Sequence, residues 1–158
     1  MLKLISGGQT GVDRAALDIA LDFGLRCGGW CPRGRLAEDG VIPSQYPLEE
    51  TPEPTYAQRT EWNVRDSDGT LILVRDEPTG GTAQTIEFAR RLGKPLLLVA
   101  VDRPMDRAAF RRWVERKAIR ILNVAGPREG TAPGIYAEAR RALGELLRDW
   151  GLSSTPQP

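Results

Sequence analysis

The chain contains no histidine in 158 residues. Imidazole is therefore absent as general base, proton shuttle and metal ligand, and a hydrolytic triad or a zinc site of the usual kind has no material to be built from. Cysteine is nearly absent too. Cys27 and Cys31 are the only two, their spacing is not that of a zinc or redox motif, and no second ligand pair accompanies them. Buried free thiols in a reducing cytoplasm are the expectation. No apolar run approaches the roughly 18 residues that a membrane span requires, and the N-terminus lacks the pattern of a secretion signal. A formal net charge of +1 leaves no strong field to attract nucleic acid or a membrane surface. Lysine occurs only at Lys3, Lys94 and Lys117, so the basic residues are almost all arginine. That bias fits base composition or heat adaptation, although arginine offers forked donors for phosphate wherever it enters a pocket.

What is present is an alternation of short apolar runs and amphipathic stretches. Strands are expected over residues 2–6, 25–30, 69–75, 95–101 and 119–125, and helices over 10–23, 55–67, 82–92, 105–117 and 133–149. In the first helix Ala16, Ile19, Ala20 and Phe23 share a stripe, and Gly24 is a natural stop. Tyr136, Ala139, Leu143, Leu146 and Trp150 share a face in the last helix. The strands are continuously apolar, as parallel strands are when helices cover both faces. The expected fold is thus α/β: one Rossmann-like domain over residues 1–150, a doubly wound, mainly parallel sheet with helices on both faces, followed by a flexible tail, 151–158. A proline-rich connection from Pro32 to about Pro54 lacks regular structure and is unusually long for a compact domain.

Two glycine-threonine turns stand out. Ser6-Gly7-Gly8-Gln9-Thr10-Gly11 follows the first strand, and Thr79-Gly80-Gly81-Thr82-Ala83-Gln84-Thr85 follows the third. Each opens a helix, whose first amides are unpaired and carry partial positive charge. Such ends cradle anions, and if strands one and three are neighbours the turns converge on one crevice. Thr10 and Asp13 fit a capping box. Thr82 and Thr85 both reach the start of their helix, one to cap it and the other to meet a ligand. Glu87 lies a turn further in. It is either a solvated carboxylate or part of the site. Arg59, Asn63 and Asp66 form one stripe at i, i+4, i+7, facing solvent, the crevice or another subunit, while Trp62 is expected to pack. Arg14, Arg33 or Arg35, and Arg128 lie on segments that could bring charge to an anion. Asp13, Glu38, Asp39 and Asp68 could hold magnesium through waters, but no spacing demands a metal.

As a set, several segments resemble the putative molybdenum carrier family: Ser6–Leu17, Gly29–Gly40, Arg59–Val64, Asp66–Thr70, Gly80–Thr82 and Asn123–Arg128. The resemblance runs from about residue 3 to 148. It implies a Rossmann-like fold, self-association into dimers or tetramers, and binding of an anionic cofactor or nucleotide. The cargo it suggests is the molybdenum cofactor, whose molybdopterin ends in a phosphate, or molybdate itself. The wider superfamily includes lysine decarboxylase-like phosphoribohydrolases with a Pro-Gly-Gly-x-Gly-Thr-x-x-Glu motif. Thr79–Glu87 keeps Gly80, Gly81 and Glu87 of that pattern but not its proline, third glycine and threonine.

The leading expectation is a binding or carrier protein. Its ligand contacts would come from Gly7, Gly8, Gln9, Thr10, Gly11, Arg14, Arg33, Gly80, Gly81, Thr82, Thr85 and Arg128, with no metal site. The alternative is a hydrolase of the nucleotide N-glycosidic bond, with Glu87 as acid/base. A third reading is an assembly subunit with a vestigial crevice.

Overall fold

A computed structural model describes residues 1–150; the tail expected over 151–158 lies outside the described residues. The central sheet has five parallel strands: β1 (Lys3–Ile5), β2 (Arg26–Gly28), β7 (Gly69–Val74), β8 (Leu96–Ala100) and β9 (Ile121–Ala125). Between β2 and β7 lie four two-residue strands, β3 (Trp30–Cys31), β4 (Leu36–Ala37), β5 (Gly40–Val41) and β6 (Glu49–Glu50). The helices are α1 (Val12–Phe23), α2 (Tyr56–Arg65), α3 (Gly80–Arg91), α4 (Arg107–Arg116) and α5 (Ile135–Leu147).

Each face of the sheet is set by alternation along its strands. Leu4, Leu71, Leu73, Leu122 and Val124 pack beneath Ala16, Ala20, Phe110, Leu143 and Leu147 of α1, α4 and α5. On the opposite face α2 and α3 pack together, with Val64, Phe88 and Ala89 forming a smaller cluster against Leu96. Gly24 ends α1 with φ 68, the left-handed geometry that glycine adopts without a Cβ penalty. The carboxylate of Glu129 caps α5, accepting from the Gly134 and Tyr136 amides at 2.6 and 3.0 Å.

The strand order is β2-β1-β9-β7-β8. The first and third strands of the sequence reading, β1 and β7, are therefore not neighbours, because β9 lies between them. Lys3 faces Ile121 on one side of β9 and Thr70 faces Asn123 on the other. Were the β9–α5 unit first in the chain, the same sheet would read 3-2-1-4-5, the doubly wound order. Winding reverses between β9 and β7, and crevices form beyond the carboxyl ends of strands at such a reversal.

The connection expected to be irregular is a folded layer. Glu49 and Glu50 pair with Trp30 and Cys31, and Leu36–Ala37 forms a hairpin with Gly40–Val41. Cys31, Ala37, Ile42 and Tyr46 form a small core with Leu17 of α1. Arg35, at φ 54, organises it from within. Its guanidinium donates to the carbonyls of Ile42, Leu48, Pro43 and Tyr46, at 3.1, 3.4, 2.8 and 3.0 Å. Four of its five N–H donors are spent on backbone, so Arg35 is committed to this layer and not placed as an anion ligand.

Candidate functional site

A cavity of about 530 Å³ opens at the winding reversal. Its walls come from four segments. The β1–α1 turn supplies Gly7, Gln9 and Asp13, and α2 supplies Tyr56, Arg59, Thr60 and Asn63. The β7–α3 segment contributes Arg75 to Glu77, Thr79 to Thr82, Gln84 and Thr85, and the end of β9 with its loop contributes Asn123 to Arg128, Thr131 and Ala132. This size suits a small-molecule ligand. Both glycine turns reach the cavity, with the β9 segment between them.

The two turns nevertheless differ in kind. In the first, the glycines are demanded by protein atoms. A Cβ on Gly7 would lie 2.5 Å from Arg59 Cδ, one on Gly8 (φ 76) 2.6 Å from Leu48, and one on Gly11 (φ 77) 2.4 Å from the Pro127 carbonyl. Several amides in and beside this turn are also occupied. Gln9 N–H donates to the Asp13 carboxylate at 3.2 Å, Thr10 N–H to Gln9 Oε1 at 3.1 Å, and Val12 N–H to the Pro127 carbonyl at 3.2 Å. The protein's own carboxylate thus sits where a bound anion was expected.

The capping box differs accordingly. Gly11, not Thr10, is the cap residue. Thr10 instead donates to Glu38 and accepts from the Glu129 amide, fastening the 32–54 layer to the β9–α5 loop.

The second turn is open. Gly80 and Gly81 begin α3, and their amides donate to no protein group among the described residues. A Cβ on Gly81 would meet no atom within 4 Å, so no packing explains that glycine. Thr79 is the cap residue, with no side-chain capping bond. Neither threonine expected to cap does so: Thr85 Oγ1 donates back to the Gly81 carbonyl at 2.8 Å, a local bond that competes with helix geometry. The Thr82 hydroxyl is on the cavity wall and bonds to no described residue.

Of the remaining expected contacts, Arg128 lines the cavity, with its Nε bonded to Thr131 Oγ1 at 3.2 Å and 3.4 Å from Glu38. Thr10, Gly11 and Arg14 face a second hollow of about 450 Å³ beside Tyr46 and Tyr136. Arg14 is held there by the Gly8 carbonyl at 2.9 Å and by both oxygens of Asp39 at 2.8 and 2.9 Å. Its guanidinium keeps the Asp39 carboxyl below the ordinary carboxylate range. Arg33 is exposed in the 32–54 layer, 3.5 Å from the Pro52 carbonyl, away from the cavity. Glu87 does not line the cavity either; it is exposed and paired with Arg91 at 2.8 Å, one turn along α3. An acid/base role for Glu87 thus finds no geometric support. Asp68 accepts from the Arg120 and Ile121 amides at the far end of the strands. Among the described residues, Asp13, Glu38, Asp39 and Asp68 form no group that could hold a metal ion.

The α2 stripe divides. Asn63 is buried and sews α2 to β3, accepting from Trp30 N–H at 2.8 Å and donating to the Trp30 carbonyl at 2.9 Å. Asp66 turns outward to Trp30 Nε1 and Arg65. Trp62 packs edge-on against Trp30, with centroids 4.8 Å apart. Arg59 is the residue whose importance the sequence reading left open. It is 6% exposed, donates to the Gly7 carbonyl at 2.7 Å, and stands 3.9 Å from Asp13. Burial pushes the Asp13 carboxyl up to about 6 against the pull of Arg59 and the Gln9 amide. Burial also lowers the Arg59 guanidinium, with Asp13 opposing. Among the described residues, Cys31 is a buried thiol and Cys27 a half-buried one, both free.

Residues 4–147 match the model of the circularly permutated YpsA SLOG family. The permutation is visible in the sheet, where the strand that leads the doubly wound order is last in the chain. A crystal structure of a putative molybdenum carrier protein from Syntrophus aciditrophicus SB is similar throughout. It shares 46% identity, with a TM-score of 0.88 over 93% of this chain and 95% of that one. No curated protein matches the chain.

Proposed function

The chain belongs to the circularly permutated YpsA SLOG family, the putative molybdenum carriers included, and from that premise we propose that it binds and carries an anionic small molecule of the molybdenum cofactor or nucleotide-like phosphate class. One observation carries the reading: an open helix N-terminus, where the amides of Gly80 and Gly81 and the hydroxyl of Thr82 bond to no described residue, faces a cavity of about 530 Å³ at the winding reversal. Amides at a helix start complement phosphate or oxyanion charge without a metal. The name of the similar protein supports the carrier role. The same reading expects a cytoplasmic dimer or tetramer, which sedimentation of the purified protein checks.

The test is calorimetric titration with molybdate, a pterin phosphate and nucleoside monophosphates, on the natural chain and on Gly81→Ala. At least one anion should bind, and Gly81→Ala should weaken it tenfold or more while leaving the fold intact, because the added methyl stands in ligand space and not against protein. Equal binding by both chains would overturn the assignment of the α3 turn.

A further inference from the structure

Arg59 and Asp13 form a buried pair on the cavity wall that protein contacts only partly satisfy. The Arg59 guanidinium gives one Nη1 bond to the Gly7 carbonyl and a long Nε contact, 3.4 Å, to the Tyr56 carbonyl. Its Nη2 donates to no described residue. Among the described residues no fully buried side-chain nitrogen or oxygen lacks a partner, so this unpaired Nη2 is reached from open space, and the open space beside Arg59 is the cavity. Asp13 is 3.9 Å away, too far for a hydrogen bond, and its Oδ2 accepts from the Gln9 amide.

The groups that bear on this pair are few. Asp13 meets Arg59 from α2 and Arg14 from its own helix, together with the Gln9 and Gly7 amides. Arg14 is occupied by Gly8 and Asp39. Arg59 meets Asp13, the Tyr56 ring at 5.1 Å and the Cys31 thiol; burial raises that thiol, so it stays neutral.

We propose that an anionic group of the ligand docks on the free edge of Arg59 and that Asp13 is its built-in competitor, so that binding draws a proton onto Asp13. This rests on the anion-binding reading above and adds a second contact point to the α3 amides. The reasoning is electrostatic. A second negative charge beside Arg59 lies near the Asp13 carboxylate in a poorly solvated wall, and like charges so placed favour protonation of one of them. Asp13 keeps the Gln9 bond when protonated, because its carbonyl oxygen still accepts. Burial already holds its carboxyl at about 6, so the uptake falls in an accessible range.

Molybdate is the probe, because it stays fully ionised between pH 6 and 8. Its affinity for the natural chain should fall at least threefold from pH 6 to pH 8. Titration in two buffers of different ionisation enthalpy should show net proton uptake at pH 7. Asp13→Asn, which keeps an acceptor for the Gln9 amide, should bind molybdate with flat pH dependence and more tightly than the natural chain at pH 8. Binding that is equally flat in both chains, with no proton uptake, would overturn the competitor role while leaving the anion-binding reading standing. Failure of molybdate, pterin phosphate and nucleotides to bind either chain at any pH would overturn both.

Discussion

Arg59 and Asp13 are costly residues to place in a wall this poorly hydrated. A carboxylate with its acidity pushed from 3.8 up to about 6 is easier to protonate in the folded state than in the unfolded one. The folded protein therefore holds more proton than the unfolded chain between those two values, and stability from this group falls as pH rises through that window. The contribution is complete below pH 3.8, is lost above about 6, and amounts to about 3 kcal/mol. Asp13→Asn should abolish it. In denaturant titrations at pH 4, 5, 6 and 7, the natural chain should lose stability relative to the variant by about that amount. An unchanged difference would mean that Asp13 is better solvated than its surroundings indicate. At this scale the sequence concealed most of the site. Arg59 and Asn63 were legible as a stripe, but nothing in their spacing distinguishes an inward face from a solvated one until the partner carbonyls of Gly7 and Trp30 are in place. Gly7, Gly8 and Gly11 gave a strong signal whose cause was packing against Arg59, Leu48 and Pro127. Gly81 gave the same signal with no protein cause.

Among the elements, the β-α alternation was readable because hydrophobic period and punctuation agree: apolar runs for strands, Gly24 as a stop, amphipathic stripes for α1 and α5. The 32–54 segment was not, because its order comes from two-residue pairings, a small core and the Arg35 guanidinium rather than from periodicity. Arg35 bonds four carbonyls that would otherwise need water or a ladder. Arg35→Ala should leave the main sheet folded and release this layer. Limited proteolysis should then cut between residues 32 and 54 at least tenfold faster, with little change in far-ultraviolet circular dichroism. Resistance equal to the natural chain would assign the order of the layer to the small core around Tyr46 and Cys31.

For the whole molecule, strand order was beyond the sequence. Five parallel strands and the handedness rule leave several arrangements, and no local pattern announces that the last strand is the middle one. The permuted order makes its own prediction. A chain opened between α4 and β9, beginning at Ile119 and joined from the end of α5 to Met1 by a short flexible linker, has the regular 3-2-1-4-5 winding. It should fold to the same sheet, with stability within a few kcal/mol of the natural chain and the same anion affinity, measured by denaturant unfolding and calorimetry. Loss of fold would show that the α4–β9 connection is itself required.

The position of β9 also governs how the molecule comes into being. β1 pairs only with β2 and β9, and β7 only with β8 and β9. Until Ile121–Ala125 has emerged from the ribosome, the nascent polypeptide holds two half-sheets that share no backbone hydrogen bond. Both inner edges, at β1 and β7, stay open to wrong partners until that strand arrives. The cavity at the winding reversal, one wall of which is Asn123 to Arg128 with Thr131 and Ala132, takes shape only once that segment has been made.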